Sequence, residues 1–127
     1  MCNIKLLLVI CTLLPGFAAA NVQAELDKFL GTIFKESSYT HGTLWVTQEI
    51  GDSLQVALGY QYPKLKLEYW HNRSTSVWVF DVIGKDLPIT AALAVTSNSI
   101  AKIKILQYRE SRGGEVVQQS FLQQFKG

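Results

Sequence analysis

Ser76-Val-Trp-Val-Phe-Asp-Val-Ile83, Ile89-Thr-Ala-Ala-Leu-Ala-Val-Thr96 and Ile100-Ala-Lys-Ile-Lys-Ile-Leu-Gln-Tyr108 are three β-type runs separated only by short polar connections. Gly84-Lys-Asp-Leu-Pro88 joins the first to the second, and Ser97-Asn-Ser99 joins the second to the third. Parallel pairing needs a crossover of a dozen residues or more, so connections this short predict antiparallel neighbours. The first run is apolar on both faces, which predicts a central strand. Upstream, Leu65, Leu67 and Tyr69 alternate with Lys64, Lys66 and Glu68, the signature of a fourth strand with one wet face, and His71-Asn-Arg-Ser-Thr75 turns the chain after it.

Working outward, the sheet needs something to bury it. Val22, Leu26, Phe29, Leu30, Ile33 and Phe34 fall on one side of a helix predicted for Asn21 to Lys35, with Asn21 as its N-cap. At the other end, Val116 to Phe125 also shows helical spacing. The expected fold is α+β: an antiparallel meander of about four strands with N-terminal and C-terminal helices packed on it. Between the first helix and the meander, Ser37 to Gly42 is a turn-forming cluster, and Leu44 to Ile50 suits either a strand or a helical turn. Asp52 could cap a short helix through Leu58, with Gly59 at C′.

The first twenty residues have the layout of a secretory leader. Lys5 supplies the charge, Leu6 to Leu14 the apolar segment, and Ala18-Ala-Ala20 a small-residue cleavage site before Asn21. The apolar run is shorter than the ~20 residues a membrane-spanning helix needs. The expectation is an exported protein, periplasmic or otherwise extracytoplasmic, with one domain over residues 21–127. Cys2 and Cys11 both fall in the leader, so no disulfide framework is expected in the mature domain. Without Lys5, eleven basic residues face ten acidic ones, a net charge of +1 that gives no footing for nucleic-acid binding.

Most catalytic chemistry lacks its residues here. His41 and His71 are the only imidazoles, each in a polar turn, which leaves no metal-ligand set. No serine sits in a Gly-x-Ser-x-Gly elbow. Asp81, in an otherwise apolar strand, is either a buried acid with a raised pKa or a carboxylate hydrogen-bonded near the strand end, and the second reading is preferred. Tyr69, Trp70, Trp78 and Phe80 could form a platform for a planar ligand, but such rings more often fill a core.

Arg109-Glu-Ser-Arg-Gly-Gly114 is the richest segment. Paired glycines let backbone approach a ligand closely, a following helix would offer free amides, and Arg109 or Arg112 could meet a phosphate. An ordinary connection with a solvated charge cluster accounts for the same residues, and residue chemistry alone leaves both readings open.

Residues 100 to 116 together with Ser120-Phe-Leu-Gln-Gln-Phe-Lys-Gly127 resemble the bacterial FMN-binding domain family, which includes flavin-carrying extracytoplasmic subunits of the sodium-translocating quinone reductase and Rnf complexes. Gly84-Lys-Asp-Leu-Pro-Ile-Thr90 is similar to the preceding segment of stand-alone members. The resemblance implies bound FMN and extracytoplasmic electron transfer with a redox partner protein, a membrane oxidoreductase being the candidate. It assigns Glu110, Ser111, Arg112 and Gly113 to the flavin-side turn, with Phe121 and Phe125 on the helix that closes it. Members carry a Ser-Gly-Ala-Thr type motif after the Phe-x-Gly segment, whose threonine receives FMN from a flavin transferase. The sequence stops at Gly127, before that motif, so the reading expects a truncated member, or a short form without the covalent tether. A cofactor-free periplasmic binding or inhibitor domain, PepSY-like or cystatin-like, is the alternative.

Overall fold

The computed structural model describes residues 16–127. Helix α1 (Gly16–Phe34) is followed by β1 (Thr40–Trp45), α2 (Gln48–Leu58), β2 (Lys66–His71), β3 (Thr75–Ile83), β4 (Pro88–Thr96) and β5 (Ser99–Gln107). The five strands form one antiparallel sheet in the order β1-β2-β3-β4-β5. The α+β meander is therefore as the sequence predicts, with one strand more than expected. The extra strand is β1, whose Leu44-Trp45 end belonged to the segment that periodicity left undecided.

α1 crosses one face of this sheet. Leu26, Phe29, Leu30 and Phe34 pack on Val77, Ala92, Ala94 and Leu106, with Val22, Ile33, Trp70 and Val79 around them. These are the six α1 positions that the helical spacing singles out. The alanines of β4 let the helix axis approach closely, and burying a side chain such as Phe29 contributes roughly 1.5–3 kcal/mol. Lys104 on β5 ties the helix down at its polar margin, with Nζ 2.7 Å from Glu25 Oε2.

Asn21 is not an N-cap: α1 runs unbroken through Ala18-Ala-Ala20, as the strong helix propensity of alanine favours. The rest of the expected leader lies outside the described residues. Nor does Asp52 start the next helix. Thr47 is the N-cap of α2, its Oγ1 accepting from Ile50 N–H at 3.4 Å, while Gly59 takes the expected left-handed conformation at the other end. Asp52 is instead bonded one turn back, by Gln48 Nε2 at 2.9 Å.

The hairpins are set locally. Asn72 Oδ1 accepts from the N–H groups of Ser74 and Thr75, both at 3.0 Å, to close the β2–β3 turn. Ser97 and Asn98 adopt positive φ in the two-residue β4–β5 turn, a conformation asparagine tolerates well. The expected C-terminal helix is broken into short pieces: a 3-10 turn at Gly114–Val117, α3 (Gln119–Leu122) and a second 3-10 turn at Gln123–Phe125. Gln118, extended at ψ 139°, interrupts the helix where the β-branched pair Val116-Val117 favours it least. Leu122 is buried, and the segment folds back along β5. Among the described residues no helix is long and apolar enough to cross a membrane.

Candidate cofactor cleft

The end of β5 and the β3–β4 connection are fastened to each other by two side chains. Glu110 Oε1 accepts from the N–H groups of Asp86 at 2.7 Å and Leu87 at 2.9 Å. Arg109 Nη1 donates to Pro88 O at 2.7 Å and Thr90 Oγ1 at 3.2 Å, and its Nη2 donates to Gln107 Oε1 at 2.5 Å. Gly84 makes the first contact possible, because a Cβ there would stand 2.5 Å from Glu110 Oε1 and 2.7 Å from Leu87 O. The Tyr108 hydroxyl donates to the Arg112 carbonyl and closes the turn across Gly113, whose φ of +78° favours glycine.

Between these two segments lies a cleft of about 590 Å³, within the range of small-molecule sites. Glu110, Ser111, Arg112 and Gly113 all line it, so four of the six residues expected at the flavin come together at one opening. Phe121 and Phe125 do not line it. They pack edge to face, ring centroids 5.8 Å apart, and stand 36% and 46% exposed. Lys85, Asp86, Ile89, Tyr108 and Val116 complete the wall in ways the turn motif did not indicate. The signal for Lys85 was a cation inside a tight connection, and for Tyr108 an aromatic at the last position of a strand run.

Charge at the cleft is divided. Lys85 and Arg112 form no ion pair among the described residues, which leaves two cations at the opening. The Glu110 carboxyl is held below the usual carboxylate range by the backbone N–H groups of Leu87 and Asp86, so it is a fixed anion already occupied by the loop. Asp86 adds a second carboxylate to the wall. Partial burial and the negative charges of Glu110 and Glu115 push the Tyr108 hydroxyl up, keeping it a neutral donor. The expected helix-terminus amides reduce to one 3-10 turn, too short to sum an appreciable dipole.

The lining combines two cations, Lys85 and Arg112, with the flat or apolar surface of Ile89, Val116 and Tyr108. Glu110 lines the cleft while its Oε1 is engaged by the N–H groups of Asp86 and Leu87. Its role is to shape the loop on which Lys85 sits.

The other candidate residues are accounted for by structure. Burial raises the Asp81 carboxyl, but Lys64 Nζ at 2.5 Å from Oδ2 and the Thr90 hydroxyl donating to Oδ1 at 2.7 Å bring it below the usual value. Asp81 is thus a hydrogen-bonded ion-pair partner, not an acid with a raised pKa. His41 and His71 are not turn residues as expected but lie on β1 and β2. His41 Nε2 is 2.6 Å from Glu68 Oε2, and its ring stacks on Trp70 at 4.7 Å and 9°. No cluster of three or more His, Cys, Asp or Glu suited to a metal ion occurs among the described residues. The four aromatics are split between faces: Trp70 turns toward α1, while Tyr69 and Trp78 stack on the opposite face at 4.7 Å.

The chain matches no protein-family model, no curated protein and no solved structure.

Proposed function

We propose that the protein is an exported FMN-binding domain that acts in extracytoplasmic electron transfer, with the cleft between the β3–β4 connection and the 108–116 turn as its cofactor site. The observation that carries this reading is the convergence of Glu110, Ser111, Arg112 and Gly113 on one 590 Å³ opening that also presents Lys85 and Arg112. A bound flavin supplies one-electron or two-electron transfer. The chain's own residues bind and orient it: Arg112 and Lys85 neutralise phosphate, the Tyr108 hydroxyl fixes the turn, and Glu110 holds the Lys85 loop against β5. Electrons would pass to a redox partner protein, a membrane oxidoreductase being the candidate. The resemblance of residues 84–127 to flavin-carrying domains supports this choice of ligand over other phosphorylated planar compounds.

The visible spectrum of the purified exported protein tests the reading. A flavin band after export, retained on gel filtration, supports it. Colour that survives acid precipitation when a flavin transferase is supplied would add a covalent tether. Protein that stays colourless and takes up no FMN contradicts the reading.

A second reading is favoured by α1 lying across one face of an antiparallel meander, the arrangement of helix-on-sheet inhibitor and binding domains. In that case the protein needs no cofactor and recognises a protein partner through a sheet edge or hairpin. Recovery of a stoichiometric partner by flavin-free protein separates it from the first.

A further inference from the structure

The two edges of the sheet end differently. Along β5, the chain's own terminal residues cover the edge: Gly127 and Ile100 exchange backbone bonds of 2.9 and 3.1 Å, and Gln119 Nε2 donates to Ile103 O at 3.3 Å. β1 forms the other edge. Val46 N–H donates to Leu65 O at 2.8 Å, in continuation of the register that pairs Trp45 with Lys66. The even positions of β1 therefore turn their backbone groups toward β2, and His41, Thr43 and Trp45 turn theirs outward. Trp45 O accepts from Thr47 N–H at 3.0 Å. The other outward groups have no partner among the described residues: the N–H groups of all three residues and the carbonyls of His41 and Thr43.

Exposed edges are normally blunted by lysine, proline or a bulge. Thr40-His-Gly-Thr-Leu-Trp45 contains neither residue, and its pairing with β2 runs without a register shift. Its margin is apolar as well: the Trp45 side chain is 64% exposed.

We propose that β1 pairs with β1 of a second copy of this chain, antiparallel about a two-fold axis at Thr43. The three outward residues are centred on Thr43, so this axis sets Thr43 opposite Thr43 and His41 opposite Trp45, and brings the N–H groups of Thr43 and Trp45 to the free carbonyls of Thr43 and His41 of the other copy. These odd positions share the α1 side of the sheet, since His41 and Thr43 both bond Glu68. The exposed indole of Trp45 thus comes to rest beside the His41 ring of the other copy, itself stacked on Trp70. β1 carries no carboxylate, ammonium or guanidinium, so self-pairing brings no like charges together. The absence of charge on β1 and its two-fold register about Thr43 select a second copy as the occupant. Six residues a side make a small interface, and the association is accordingly reversible and concentration-dependent.

Sedimentation equilibrium from micromolar to near-millimolar protein, with Trp45 emission as a second readout, tests the proposal. The full chain should pass from monomer to dimer with a blue shift of tryptophan emission that a Trp70→Phe/Trp78→Phe background assigns to Trp45. Thr43→Lys, which sets two ammonium groups face to face on an otherwise tolerant edge, should abolish dimerisation while circular dichroism stays unchanged. In a full-length Cys2→Ser/Cys11→Ser background, Thr43→Cys should form a disulfide-linked dimer under mild oxidation. A chain that is monomeric throughout, or a dimer that Thr43→Lys leaves intact and Thr43→Cys does not cross-link, overturns the proposal.

Discussion

Glu110 fills the space that any side chain at position 84 would need: a Cβ on Gly84 would stand 2.5 Å from Glu110 Oε1. That contact joins the β3–β4 connection to the end of β5, and it decides where Lys85 stands relative to Arg112. Gly84→Ala must displace both the carboxylate and the Leu87 carbonyl, which would be 2.7 Å from the new atom. Because the carbonyl is backbone and cannot swing aside, the variant should lose about 1–3 kcal/mol, the usual range for overpacking. Urea unfolding monitored by tryptophan fluorescence measures it, and an unchanged midpoint contradicts the packing described.

The same carboxylate gives a pH dependence with a definite sign. Backbone N–H groups of Leu87 and Asp86 lower the Glu110 pKa in the folded state. A depressed folded pKa means the contribution is present above the unfolded carboxylate value and is lost as pH falls through the folded one. The amide proton shifts of Asp86 and Leu87 should therefore titrate together below the normal glutamate range. In Glu110→Gln this shared acid titration should vanish. Independent titration of the two amides would contradict a common acceptor.

Phe29 is a direct measure of the α1–sheet contact, being one of the two largest side chains that are fully buried. Phe29→Ala should cost about 3–5 kcal/mol, more than a marginal domain of this size comfortably tolerates. Val56 on α2 is 87% exposed, and Val56→Ala should change stability by less than about 0.5 kcal/mol in the same urea assay. Similar losses at both positions would mean that the core is not where α1 places it.

At the turn proposed to hold the cofactor, Gly113→Val should impair flavin retention more than Ser53→Ala. Position 113 has φ +78° and a Cβ would lie 3.0 Å from the Tyr108 hydroxyl, whereas Ser53 sits on α2, its hydroxyl donating to Glu49 O at 3.0 Å. Retained flavin on gel filtration, beside circular dichroism for folding, is the readout. Equal retention would remove the turn from the site.

Much of the fold could be read from local pattern. Strands β3 to β5 and the buried stripe of α1 follow from period-two and helical spacing with turn residues between them, and these signals agree because tertiary packing uses the same faces. β1 escaped because Thr40-His-Gly-Thr mixes turn formers with strand formers. Its glycine is explained only by a non-local contact: a Cβ on Gly42 would meet the Tyr69 ring at 2.5 Å. The broken C-terminal helix escaped for the opposite reason, since Val116, Phe121, Leu122 and Phe125 have helical spacing but only Leu122 is buried. For the cleft, the 110–113 turn was legible as a cluster of glycine and charge. Lys85 and Ile89 join it only because the antiparallel register of β4 with β5 brings Thr90 opposite Gln107.

Titration of the full chain with FMN and, separately, with riboflavin, followed by quenching of flavin fluorescence, tests the central claim most directly. FMN should bind more tightly than riboflavin, and Arg112→Ala and Lys85→Ala should each erode that preference by roughly tenfold, the scale of one charge-assisted contact. Failure of FMN to bind, or binding at equal strength to both flavins and both variants, would contradict the cofactor assignment.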